Sequence, residues 1–128
     1  MLIRQLTPLV ITCAGSDGSA VGNAVTKNVV RGRVLAVHLD YGTGQAATSD
    51  VTIATVNAPV NTLLTVTDSN TDGWYYPRHQ VHSEAGAGLT YDDTRKVQEA
   101  VPVCDHIKVS VAQGNDTKTV TATILVEE

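Results

Sequence analysis

The most chemically suggestive run in the chain is Asp68-Ser69-Asn70-Thr71-Asp72-Gly73. It reads D-x-N-x-D-G, the opening of an EF-hand-type calcium loop, in which oxygen-bearing side chains at alternate positions wrap a hard cation and the glycine permits a sharp turn. Such a loop closes on a bidentate acid at its twelfth position, where this chain has His79. The residues before it alternate like a strand, not a helix, and Asp, Asn and Gly populate ordinary β-turns for backbone reasons alone. The run is read as a turn, with Asp68, Asn70 and Asp72 kept as a weak calcium alternative. No cofactor is expected.

The remaining reactive side chains are dispersed. His79 and His82 are three apart, so on a strand they face opposite sides, and His38 and His106 are remote in sequence. Zinc needs three or four ligands, which no such spacing supplies. No G-x-S-x-G nucleophile elbow occurs. The acid pairs Asp92-Asp93 and Glu127-Glu128 are adjacent, and neighbours on a strand point apart, which disfavours the paired carboxylates of a glycosidase. The expectation is a protein that is not an enzyme and has no catalytic residues.

Trp74-Tyr75-Tyr76-Pro77-Arg78 concentrates three of the five aromatic side chains. Trp, Tyr and Arg are the residues favoured at interface hot spots, so Trp74, Tyr75, Tyr76 and Arg78 are the candidate interface set. Two other readings stay open. The group forms a stacking platform for a sugar, or Trp74 caps the core while Arg78 covers a tyrosine.

Composition limits the partners. The chain has 128 residues and a net charge of -4, with 13 acidic against 9 basic side chains. That balance argues against a protein that grips nucleic acid by neutralising phosphates, and against electrostatic attachment to an anionic membrane. No run reaches the roughly 18 apolar residues of a membrane helix, and Met1-Leu2-Ile3-Arg4-Gln5 lacks the basic-then-apolar order of a secretory signal. A chain made and kept in a cytoplasm is expected. Cys13 and Cys104 are read as two buried small hydrophobes, with a disulfide as the alternative.

The elements that must position these residues are strands. Val and Thr, both branched at Cβ, are abundant and suit a pleated surface better than a helix. Leu9, Ile11 and Cys13 share one face of a first strand. Between Val29 and Tyr41, Leu35, Val37, Leu39 and Tyr41 take one face, and Gly32 marks a bulge. Alternation recurs over Asp50 to Val56, Thr62 to Thr67, Trp74 to Val81 with a break at Pro77, and Val97 to Cys104 with an interruption at Pro102. The short stretch from Asp92 to Val97 is the best helical candidate. Ile107 to Val111 and Val120 to Val126, joined by Gln113-Gly114-Asn115-Asp116, read as a β-hairpin that closes the chain. The fold class expected is all-β, an antiparallel β-sandwich or jelly-roll-like domain of about seven to eight strands. Residues 29–128 are assigned to it. Residues 1–28, with their small-residue run Ala14-Gly15-Ser16-Asp17-Gly18-Ser19, are read as an N-terminal arm or first strand.

The run Thr71-Asp72-Gly73-Trp74-Tyr75-Tyr76-Pro77-Arg78 with Val81-His82 is distinctive. Together with Gly32-Arg33-Val34-Leu35-Ala36-Val37-His38 upstream, and Val103 and Asp105-His106-Ile107-Lys108-Val109-Ser110-Val111 downstream, it resembles a family of small virion structural proteins of tailed bacteriophages. The likeness spans residues 30 to 126 and leaves out the first 30 or so. It implies a capsid decoration (cement) protein that binds the outside of the head between capsomers and stabilises it. The implied partners are the major capsid protein and further copies of itself, with a homotrimer favoured because decoration proteins sit on local symmetry axes. The implied location is the virion surface, after synthesis in the host cytoplasm. A carbohydrate- or receptor-binding β-sandwich module of a tail or fibre is the alternative, motivated by Trp74, Tyr75 and Tyr76.

Overall fold

A computed structural model describes residues 2–128; Met1 lies outside the described residues. Eleven strands follow one another: β1 (Ile3–Gln5), β2 (Leu9–Thr12), β3 (Ala20–Val25), β4 (Val30–Tyr41), β5 (Asp50–Thr55), β6 (Thr62–Val66), β7 (Gly73–Tyr75), β8 (Arg78–Gln80), β9 (Gln98–Asp105), β10 (Ile107–Gly114) and β11 (Thr119–Glu127). They form two antiparallel sheets. The larger runs β1-β11-β4-β9-β8, with β2 also beside β11 and β7 beside β4; the smaller runs β3-β10-β5-β6. The protein is an all-β sandwich, as its Val/Thr alternation predicts. The strand count exceeds the expected seven to eight because β1 and β3 lie in the segment read as an arm and the run from Trp74 to Val81 divides at Pro77 into β7 and β8.

The core lies between the sheets. From the larger sheet come Val37 and Leu39 of β4 and Val120, Ala122, Ile124 and Val126 of β11; from the smaller come Val51 and Ile53 of β5 and Ile107, Val109 and Val111 of β10. All are almost fully buried. On β11 every second residue is buried from Val120 to Val126, the signature of a strand with one face on a core and one facing water. Burying each Val or Ile side chain contributes about 1.5–3 kcal/mol.

Four departures from the sequence reading have physical causes. The bulge in β4 is at Leu35, not Gly32. Leu125 pairs with Ala36 and Val126 with Val34, so Leu35 is the extra residue. It resets the phase: Val30 and Val34 are buried before it, Val37 and Leu39 after it. Gly32 is required for another reason. Its φ is +126° and a Cβ there would collide with the Glu127 carbonyl.

The last two strands are not a hairpin. β10 pairs with β3 and β5 while β11 pairs with β1, β2 and β4, so the connection from Gly114 to Thr119 crosses from one sheet to the other. The crossing is held by the buried Gln45 side chain. Its Oε1 accepts from the Ala46 and Asn115 amides at 3.0 and 2.9 Å, and its Nε2 donates to the Thr119 carbonyl at 3.4 Å. Gln113 and Thr117 adopt left-handed backbone angles there.

Residues 2–28 contribute β1, β2 and β3, which reach both sheets, with Ile11, Cys13 and Ala20 in the core. The segment expected as an arm or first strand is thus placed as three strands. The loop between β2 and β3 is pinned by the Asp116 and Asn115 side chains, which accept from the Gly15 and Gly18 amides. Asp92 to Val97 is not a helix: the Asp92 carboxylate turns the chain by accepting from the Thr94 and Arg95 amides, and Asp93 has a φ of +66°. Pro102 does not interrupt β9. It pairs with Arg33 in a stretch where β8, ending opposite Ala100, no longer lies alongside, so its missing N–H costs no ladder bond.

Candidate functional site

β7 lies against β4 and carries the aromatic cluster. Tyr75 pairs with Val37 and Trp74 with His38, and since successive side chains alternate between faces, the two aromatics part. Tyr75 packs against the core. Trp74 stands on the outer face, 49 % exposed, with its ring centroid 5.0 Å from that of His38 and the two planes inclined at 60°. Tyr76 follows at 62 % exposure. Trp74, Tyr76 and Arg78 are therefore the exposed members of the predicted set, and Tyr75 is their tether to the interior.

Arg78 acts on the backbone. Its Nη1 donates to the Leu35 carbonyl at 3.0 Å and to the Pro77 carbonyl at 2.7 Å. Leu35 is the bulged residue, the one a bulge leaves without a ladder partner. The guanidinium thus ties the bulge of β4 to the chain leaving β7, while Pro77 is buried beneath it. This geometry fixes where Trp74 and Tyr76 point.

The D-x-N-x-D-G run is used for docking the loop. The Asp72 carboxylate accepts from the Tyr41 amide at 2.7 Å, Asn70 Nδ2 donates to the Gln45 carbonyl at 3.0 Å, and the Asp68 amide donates to Asp50 Oδ1 at 2.9 Å. Among the described residues no group of three or more His, Cys, Asp and Glu side chains is placed to hold a metal ion. Burial raises the Tyr41 hydroxyl pKa above its ordinary value.

The four histidines are separated. His79 Nε2 is 3.0 Å from Glu99 Oε1, His82 Nδ1 is 2.7 Å from the Gln80 carbonyl oxygen, His106 Nδ1 is 2.9 Å from that of Thr26, and His38 faces Trp74. The acid pairs are also divided: Asp92 bonds Arg95 at 2.9 Å and Glu128 bonds Arg4 at 2.8 Å. Cys13 is buried and Cys104 is exposed; both are free thiols, so only Cys13 is the buried hydrophobe expected.

Two surface features escaped the sequence reading. The first is the excursion between β8 and β9. Residues 84–96 are all exposed, yet they are ordered by a ring of backbone hydrogen bonds: Val81 N–H to the Val97 carbonyl at 2.8 Å, Val97 N–H to that of Leu89 at 3.1 Å, and Leu89 N–H to that of Val81 at 2.8 Å. Three large aliphatic residues, Val81, Leu89 and Val97, spaced eight apart were the available signal. Tyr91, 73 % exposed, sits at the far end. The second is the Asp105 carboxylate, which gathers the Val56 and Asn57 amides, the Asn57 side chain and its neighbouring His106 amide. Hydrogen bonds led by that of the Asn57 amide hold its pKa below the ordinary carboxylate value. The Asp92 pKa is lowered likewise, first by the Arg95 amide.

Two open grooves of about 360 and 370 Å³ lie apart from the aromatic rim. One is lined by Asn57, Pro59, Pro102 and Cys104, the other by Arg4, Thr7, Lys27 and Asn28. The rim presents two exposed aromatic side chains, Trp74 beside His38, and Tyr76 next to the buried Pro77. No family model and no curated protein matches this chain.

Proposed function

We propose that the chain is a decoration (cement) protein of a tailed-phage head, binding the major capsid protein on the outside of the shell through its aromatic rim. The observation that carries the reading is the exposure of Trp74 and Tyr76 on a segment held fixed from below by Arg78, Pro77 and Tyr75. Pre-positioned aromatic anchors lower the ordering cost of binding and are what protein interfaces use as hot spots. The resemblance of residues 30 to 126 to virion structural proteins supplies the identity of the partner. In this reading the protein performs no reaction and stabilises the shell by adding buried surface between capsomers.

The parting of the aromatic cluster supports a protein contact over the sugar-platform alternative. The platform needs Trp74 and Tyr75 on one surface, whereas they take opposite faces of β7 and Tyr75 packs on the core. Purified protein added to expanded capsids is expected to bind in fixed stoichiometry and raise their melting temperature, and Trp74→Ala is expected to weaken that binding at least tenfold, the loss of about 1.4 kcal/mol or more typical of an anchor. Binding to tail tubes in place of capsids overturns the head placement. Glycan binding that disappears with Trp74→Ala while capsids are ignored establishes the alternative.

A further inference from the structure

The two sheets treat their edges differently. The larger sheet is edged by four short strands, β1 and β2 beside β11, β7 beside β4 and β8 beside β9, of three or four residues each, two of them with an arginine, Arg4 and Arg78. Short, charged edges resist pairing with other chains. In the smaller sheet β3 is partly covered, because Val21 exchanges backbone hydrogen bonds with Ala14. The other edge, β6, is Thr62-Leu63-Leu64-Thr65-Val66, with no charge and no proline.

The register of β6 shows what it presents. The Thr55 amide donates to the Asn61 carbonyl, so Thr55 faces β6, and with a period of two so do Ile53 and Val51. Their partners Leu64 and Val66 point their backbone groups back at β5. Thr65, between them, points its N–H and C=O outward, and neither has a hydrogen-bond partner among the described residues. Leu64 and Val66 pack only partly against the core.

We propose that β6 is a self-association edge, through which two copies of this chain pair antiparallel about a two-fold axis at Thr65 and join their smaller sheets into one of eight strands. The occupant follows from the register. With Thr65 opposite its own copy, the two residues exchange both backbone hydrogen bonds. Leu64 of each copy then stands opposite Val66 of the other, in the closely spaced, non-hydrogen-bonded positions where side chains touch. Two apolar pairs form, both half-buried side chains gain cover, and Asp68 falls opposite Thr62, so no like charges meet.

The test is the mass in solution, by light scattering up to about 1 mM, a range that detects association as weak as roughly 4 kcal/mol. Twice the chain mass is expected. One chain mass throughout, or the three-fold mass expected for a trimer, overturns the proposal. Thr65→Lys and Thr65→Glu each place like charges on the axis and are expected to give monomers with unchanged far-ultraviolet circular dichroism, whereas an equimolar mixture of the two is expected to recover the dimer. A dimer that survives both substitutions, or a mixture that stays monomeric, also overturns it. Trp74→Ala is expected to leave the mass unchanged, which separates this edge from the aromatic rim.

Discussion

Arg78 shows how a residue type chosen for one reason proves to act for another. Its place in a Trp-Tyr-Tyr-Pro-Arg run marks it as a contact residue, yet its two shortest bonds are to backbone carbonyls, one of them on the bulged Leu35. Arg78→Ala is expected to lower stability by about 1–2 kcal/mol, the cost of leaving a carbonyl without a charged donor at a partly exposed position. A denaturant titration that moves by less than about 0.3 kcal/mol shows that water replaces the guanidinium. Trp74 and Tyr76 were legible because three of the five aromatic residues are consecutive in the chain. The role of Gln45 was not. A lone glutamine in a Gly-Thr-Gly-Gln loop carries no pattern, and only the fold brings Cys13, Asn115 and Thr119 to it.

Strand existence was legible where large branched side chains alternate against the core, as in β4, β5, β10 and β11, and not in β3, whose core-side residues Ala20, Gly22 and Ala24 are small. Pairing was not. Val120 to Val126 alternate identically whether their neighbour lies beside them in one sheet or across the core in the other, so a hairpin and a sheet-to-sheet crossing look alike in sequence. Glycine is the visible signal for a bulge, and Leu35, where the bulge lies, carries none. The projection between β8 and β9 was illegible for a different reason: its order comes from backbone bonds and carboxylate-capped turns, with little apolar burial. Asp92→Ala removes the acceptor for two amides and the Arg95 side chain, and is expected to loosen the 90–96 turn while the sandwich keeps its melting temperature within about 1–2 °C, as befits an exposed site. Backbone amide order parameters for residues 90–96 that match the unmodified chain would show the turn to be held by something other than Asp92.

At the scale of the whole molecule, stability should depend on acid. The folded-state pKa values of Asp105 and Asp92 are depressed below their ordinary values, so their ionised forms stabilise the folded chain above the unfolded carboxylate range, and that contribution is lost as pH falls through the folded values. The melting temperature is expected to fall on acidification below about pH 4, and Asp105→Asn is expected to flatten that fall while costing stability at neutral pH. Equal acid limbs for the two proteins would place the pH dependence elsewhere. The seven-strand sheet carries the aromatic rim and the excursion between β8 and β9, and the four-strand sheet carries the bare edge.

The ring of three hydrogen bonds among Val81, Leu89 and Val97 has a consequence for local unfolding. Each of the three segments donates to one neighbour and accepts from the other, so none can detach without breaking two of the three bonds. The projection therefore opens as one cooperative unit, and in native-state hydrogen exchange these three amides should share a single opening free energy, below that of β4 and β11 and far above that of the exposed turns between them.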